Sequence, residues 1–355
     1  MGYIYTKSGK LAKRLYFGAV LLFEGLYYTF KNRVLADGGT FVENELPTIS
    51  QDDKLVLTPN AYKSGKLYSA VPNDGTGDFT VDRNSTATYI DEDGIIRTAL
   101  ANVPRIDWSS GEAVIFGELQ ATNLTTHSED FNNVIWIKTN VTILSDQQFI
   151  SLDNPLGAFL LKDNATDAEH YVEQRYGSSD NLQYTFSVLV KAYTPDFVFG
   201  ISVVAVGSSN TTSRAIFNIT NEVVTKDVFN GIITETKIQE VSNGWYKCSI
   251  TYTLDGTVTS HRSRIHTGTP ATLYVGNEDG IYINNAQLEQ ASTSSSYIPT
   301  NGTTVTRLAD DISVPTPAGV TAITETIDGV DQTPITTIPT TYTLPVGNIN
   351  KVTML

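Results

Sequence analysis

YTFSVLVKAY (184–193), followed closely by FVFGISVVAV (197–206), decides the fold. Val, Ile, Phe, Tyr and Thr dominate both runs, and these residues suit a pleated, half-buried surface. Neither run carries the 3.6-residue period of a helix. Working outward, the same kind of short run recurs as WIKTNVTIL (136–144), GAFLLKD (157–163), HYVEQRY (170–176) and RAIFNIT (214–220). WYKCSITYTL (245–254), ATLYVG (271–276) and GIYINNAQLEQ (280–290) continue it. Turn signals such as Ser-Ser-Asn, Asp-Asn, Asn-Gly and Asp-Gly separate the runs. Many short strands at this spacing predict a mainly β chain whose centre is a jelly-roll β-sandwich.

Composition sets the limits around that centre. The chain has 355 residues, enough for two or three domains and a substantial core. It carries 24 basic against 38 acidic residues and a net charge of −14, a balance that opposes sequence-independent nucleic-acid binding. The lone Cys248 cannot form an intrachain disulfide, and its alternating surroundings predict a buried apolar thiol.

KSGKLAKRLYFGAVLLFEGLYYTF (7–30) superficially resembles a signal peptide, with Lys7, Lys10, Lys13 and Arg14 ahead of an apolar run. Glu24 interrupts that run, its end is aromatic, and no small-residue cleavage site follows. It reads instead as an apolar docking segment, without membrane insertion, that buries itself in the protein or an assembly partner, with a signal anchor as the alternative. NRVLADGG (32–39) reads as a strand ending in a hairpin turn, and 61–78 as a polar loop. In the tail, Pro334, Pro339 and Pro345 confine the strands to edges or ends. The expected organisation is an N-terminal docking module over 1–78 and a β-hairpin preface over 79–120. A jelly-roll sandwich over 121–310 and a small C-terminal β tail over 311–355, able to pair with neighbouring subunits, complete it.

The preface contains Asp91-Glu92-Asp93-Gly94, which lacks the alternating oxygen ligands and terminal Glu of an EF-hand loop. Tyr89-Ile90 and Ile95-Ile96 on either side make it the tip of a hairpin. Arg105 is expected to pair with Asp107 or Asp130.

No catalytic residue is predicted. His127, His170, His261 and His266 show no metal-ligand spacing, and SHRSRIHTGT (260–269) reads as a solvated strand or loop. Nucleophile-elbow, phosphate-loop and dinucleotide signatures are missing from the sequence. Carboxylate pairs for glycoside hydrolysis need only meet in space, and the sequence selects none. A structural calcium ion, the one cofactor considered, would draw on Glu129 and Asp130 at the start of the sandwich and on Asn284, Asn285 and Glu289 at its end. Sugar binding would use exposed aromatics, with Tyr171, Tyr176, Tyr184 and Tyr193 available. Trp136 and Trp245 sit in core-like runs, yet Trp245, Tyr246 and Tyr193 are the residues assigned to a shallow glycan site. Sequons such as Asn84-Ser85-Thr86 and Asn140-Val141-Thr142 arise readily in a chain this rich in Asn and Thr.

Several stretches, taken in order, resemble a family of bacteriophage virion proteins of the tail-fibre, head-fibre and spike type. They are RNSTATYID (83–91) with Gly94, NVPRID (102–107), GELQATNLTTHSEDFNNVIWIK (117–138), NGWYK (243–247) and NNAQLEQASTSSSYIPTNGTTVTRLADD (284–311). Relatives tend to have G-L-L-x-E-x where this chain has IFGELQ (115–120), so that strand edge is expected to pair differently. The resemblance implies a jelly-roll domain similar to carbohydrate-binding modules, preceded by a structural preface. It implies a non-enzymatic virion subunit, of fibre, spike or decoration type, located in the virion. Its partners would be other virion proteins (capsid, portal or tail), further copies of itself, most simply as a homotrimer, and host surface polysaccharide. Two alternatives stand beside it: a purely structural adaptor or collar protein, and a polysaccharide-degrading tailspike enzyme.

Overall fold

The computed structural model describes residues 17–355 except 45, 48, 147–156, 178–180, 208–210, 228–231, 243 and 271. The basic cluster at Lys7–Arg14 and the Ser-Ser-Asn and Asn-Gly turn signals at 208–210 and 230–231 lie outside the described residues.

Two six-stranded antiparallel sheets form the sandwich. The front sheet runs Ile137–Thr139, Tyr171–Gly177, Val258–Thr267, Val198–Gly207, Thr211–Asn218, Val223–Asp227. The back sheet runs Val141–Asp146, Ala158–Asp163, Gly280–Glu289, Gln183–Ala192, Trp245–Thr253, Ile233–Ser242. Period-2 alternation turns Tyr184, Phe186, Val188 and Val190 of one sheet against Phe199, Ile201 and Val203 of the other, and this is the sandwich core. Cys248 is buried in it, and burial pushes its thiol pKa well up, as expected of an inert core thiol. Trp136 is buried as well, its indole N–H donating to the His127 carbonyl at 2.8 Å. SHRSRIHTGT is not a solvated loop. It supplies most of Val258–Thr267, the strand between Tyr171–Gly177 and Val198–Gly207, and His261 and His266 are both buried there.

The rest of the chain builds one eleven-stranded sheet, here called the platform. Strands from the N-terminal module (Leu55–Lys63, Lys66–Val71), the preface (Phe79–Asp82, Val114–Gly117) and the tail (Asp311–Pro315, Ile323–Ile327, Gly347–Met354) alternate within it. The tail strands therefore pair inside the chain: Gly347–Met354 lies between Leu55–Lys63 and Ile323–Ile327. The platform curls back on itself, since Tyr342, from one end of the strand order, donates to Glu325 near the other end at 2.6 Å.

Two expectations fail here, the first because of how the platform is buried. The sheet is covered on both faces, so its strands lose the alternation that marks a half-exposed strand. Leu55, Leu57 and Leu67 face the platform core, while Ala61, Tyr68 and Ala70 face Phe30 and Val34 of a helix. Much of 61–78 is thus a hairpin of two strands turning at Gly65 (φ 75°). The helix spans Phe17–Ala36, so NRVLADGG is its last turns and C-terminal reversal, not a strand. Among the described residues no helix is long and apolar enough to cross a membrane.

The preface hairpin, Ala87–Ile90 paired with Ile96–Ala99, lies on the outer face of the back sheet. Its tip is the acidic cluster: Asp91 accepts from the Asp93 and Ile95 amides and from Arg97 Nε at 2.6 Å. Gly94 has φ 75°, and a Cβ there would stand 2.1 Å from Ser242 Oγ, so both conformation and the close approach to the sandwich call for glycine. Ile96 packs with Leu189, Ala158 and Trp245 beneath the hairpin. At the junction of hairpin, platform and sandwich, Asp310 accepts from Arg83 at 2.7 Å, from Arg105, and from the Glu118 amide at 2.9 Å. Arg105 also donates to Glu118 at 2.7 Å, so its partners are Glu118 and Asp310 and not Asp107 or Asp130. Asp107 instead holds the Ile90 and Ser109 amides. Burial pushes the Glu118 carboxyl up, but Arg105 and Arg307 outweigh it and hold the group below the usual carboxylate range.

Candidate functional site

A sandwich has two outer faces, and here, among the described residues, the preface hairpin covers the centre of the back sheet and leaves the front sheet uncovered. The back sheet is roofed: Trp245, Leu189, Ser187, Thr251, Gln287 and Glu289 all point outward from it and all are buried, under the hairpin and the segment after Glu289. Trp245, assigned to a glycan site from sequence, is 1% exposed and lies packed beneath the hairpin. Tyr246 packs partly buried against the sandwich core. Tyr193 is 46% exposed, edge-on to Tyr282 and under Lys162 Nζ at 5.6 Å, away from both other residues' roles. Tyr176 and Tyr184 are core residues.

The front sheet's outer face is built by the same alternation that fills the core. Strand register places Ile137, Glu173, Arg264, Ser202 and Arg214 in one row across the sheet. Arg175 and Arg262 stand opposite each other one row away, and Tyr171 and His266 on the other side. Glu173 organises the row. Its side chain is 2% exposed, and it accepts from Arg264 Nε at 2.8 Å and Arg175 Nε at 3.0 Å, with Arg262 at 3.8 Å. The Arg264 guanidinium lies 4.1 Å from the Tyr171 ring centre, a cation–π stack. Arg175 remains 55% exposed, so its unused N–H groups face solvent. At one end the face is closed by Pro270, packed where Gly200 leaves room for it.

His266 joins the row through a 2.8 Å contact between its Nε2 and Ser202 Oγ. Burial, then the nearby Arg264 and Arg214, lower its pKa to about 3, so at neutral pH the ring is uncharged. His261, inside the sandwich among Tyr176, Tyr184 and Tyr252, is lowered to about 4 by burial. A histidine depressed in the fold binds fewer protons folded than unfolded, so stability is fully present above the unfolded value of about 6.5. It is lost as pH falls from there towards 4 and below. Denaturant titrations at pH 7 and pH 4 should differ by on the order of 3 kcal/mol or more, and His261→Phe should shrink the difference.

The five residues of the calcium assignment are not gathered on one ion, and Asn284 donates to the Gly157 carbonyl at 3.3 Å. Glu289 accepts from Ser295 N and Oγ and from Gln287, Asp130 accepts from the Asn132 amide, and Glu129 interacts with Tyr297. Asn285 lines a cleft under the hairpin. Among the described residues no group of three or more His, Cys, Asp or Glu gathers as a metal site.

Glu173, Arg175, Arg262, Arg264 and Ser202 were not singled out from sequence. The signal was present: HYVEQRY and SHRSRIH alternate at period 2, which puts Tyr171, Glu173 and Arg175, and Arg262, Arg264 and His266, on common faces.

No family model and no curated protein sequence matches the chain. Solved structures similar to it include the enzymatically active domain of tailspike protein 4 of bacteriophage CBA120, at 11% identity and TM-score 0.31, covering 47% of this chain and 21% of that one. The CBM22-1–GH10 modules of xylanase 10B from Clostridium thermocellum follow, at 12% identity and TM-score 0.30, covering 52% of this chain and 30% of that one. The carbohydrate-binding module CBM4 is similar at 13% identity and TM-score 0.26 over 53% of this chain and all of its own. This chain thus spans less than a third of the length of the first two. At these TM-scores the likenesses carry no argument, and the β-sandwich rests on the strand pairing itself.

Proposed function

We propose that the front-sheet face binds an acidic polysaccharide, and that the chain is a non-enzymatic subunit of a phage-type particle which displays that face to its host. One observation carries the binding reading: the outer face of the front sheet holds Arg175, Arg262 and Arg264 prearranged around one buried glutamate, with Arg214 two strands beyond Arg264 in the same row. In a chain of net charge −14 that local excess of guanidinium is a selective surface for carboxylate- or phosphate-bearing glycans. Tyr171, already stacked on Arg264, offers a flat edge for a sugar ring.

Binding without cleavage fits the chemistry of the row. Glu173 is neutralised by its arginines, and glycoside hydrolysis needs a second carboxylate across the bond. Ser202 and His266 resemble a nucleophile and base in distance, but a ring with a pKa near 3 does not take a serine proton at neutral pH. The virion assignment is supported by the sequence resemblance over 79–311. The platform and the helix, with Tyr28 and Leu35 exposed on it, would supply the contacts to other virion proteins and to further copies of the chain.

The test is affinity electrophoresis and calorimetry of the intact protein against acidic and neutral polysaccharides. Acidic ones should bind, more weakly as salt rises. Arg175→Ala combined with Arg262→Ala should weaken binding by roughly tenfold or more, the scale of one or two charge-assisted hydrogen bonds. Equal binding by wild type and double variant, or preference for neutral chains, would sink the reading.

A further inference from the structure

Between the hairpin and the back sheet lies a cleft of about 190 Å³. Its apolar lining is the margin of the hairpin cluster: Ile90, Ile96, Leu189 and Val241. Ser187, Lys247 and Asn285 belong to its polar lining.

Asparagine suits the left-handed backbone at position 285, but that backbone makes no use of the side-chain amide. Asn285 adopts φ 51° where Gly280–Glu289 slips register against Gln183–Ala192, a bulge that turns its side chain out of the regular alternation. It is 3% exposed, and among the described residues neither its side-chain nitrogen nor its side-chain oxygen has a hydrogen-bond partner. A buried amide unpaired at both ends is destabilising unless something else satisfies it. Lys247, half-buried at the cleft, donates to the Ser295 carbonyl at 2.6 Å, and an ammonium has three donors to give. The carboxylates around the cleft are already engaged: Glu118 by Arg105 and Ser296, Asp107 by two backbone amides.

An amide that can donate and accept, beside a hydroxyl and an ammonium, matches a ligand group that also does both, which is a hydroxyl. The apolar margin matches the C–H face of a ring carrying those hydroxyls. The volume is below that of pockets for drug-sized ligands, so it suits one ring and not an oligomer. We propose that this cleft binds a single polyhydroxylated ring, such as one terminal sugar residue, held by Asn285 and Lys247. It lies on the opposite sheet from the arginine row and stands independently of polysaccharide binding there.

The experiment is saturation-transfer difference NMR on the intact chain with the methyl glycosides of glucose, galactose, mannose and N-acetylglucosamine at millimolar concentration. At least one should give a saturable signal. Asn285→Gly keeps the left-handed backbone free of strain and removes the amide, and it should weaken that signal tenfold or more. It should leave polysaccharide binding at the front sheet unchanged. Lys247→Met, which keeps the apolar stem, should act in the same direction and carries the test if Asn285→Gly does not fold. Silence from every glycoside, or undiminished binding in both variants, overturns the proposal.

Discussion

Asp310→Ala is expected to cost the protein about 3–5 kcal/mol, the scale on which one partner is lost from a buried ion pair. Asp310 is almost wholly buried and holds the guanidinium groups of Arg83 and Arg105, whose side chains are fully buried. Without it both cations stay in the interior, and only Arg105 keeps a carboxylate, that of Glu118. The residues concerned sit at strand ends of the platform: Arg83 follows Phe79–Asp82, Arg105 precedes Ile106–Asp107, and Asp310 precedes Asp311–Pro315. Through Arg105 the network also reaches the hairpin at the Thr88 carbonyl and the segment over the back sheet at Ser296. Urea unfolding followed by fluorescence and circular dichroism should therefore show a lower midpoint and a split transition as platform and sandwich uncouple. Exposed Asp311→Ala, one residue on, should stay within about 0.5 kcal/mol of wild type.

Trp245→Ala is expected to be nearly as damaging, about 3–5 kcal/mol, through the cavity left beneath the hairpin. Trp245 is the largest side chain of the cluster that also holds Ile96, Leu189 and Ala158. Because that cluster fastens the hairpin and not the sandwich core, the loss should be local first. Amide exchange should rise in Ala87–Ile90 and Ile96–Ala99 while Phe186, Val188 and Ile201 stay protected. Tyr193→Ala, at a half-exposed ring, should have little effect on stability.

These two sites show where the sequence was legible and where it stopped. The sandwich strands could be read because one face of each is apolar and the other is not. The platform strands around Leu67 and Tyr68 could not, because the sheet is buried on both faces and alternation disappears. The helix over Phe17–Ala36 shows no apolar stripe and so resembled an undefined apolar run. SHRSRIHTGT reads as a solvated strand or loop because its arginines are polar; it is a strand with buried histidines, and those arginines make the face a candidate site. Trp245 sits in a core-like run but is assigned to a glycan site from sequence, because the hairpin that buries it lies about 150 residues earlier. Arg105 finds Asp310 across 205 residues of chain, a pairing no local pattern announces. Asn285 sits in a register slip that sequence alone does not mark.

The acidic polysaccharide is expected to meet the front sheet and not the hairpin side of the back sheet. Hydrogen–deuterium exchange of the intact protein, with and without an acidic polysaccharide that it retains in affinity electrophoresis, tests this most directly. Protection is predicted in Tyr171–Gly177, Val198–Gly207 and Val258–Thr267, with Ala87–Ala99 and the segment after Glu289 unchanged. Protection confined to the hairpin and that segment, or no protection in the three front-sheet strands, would contradict it.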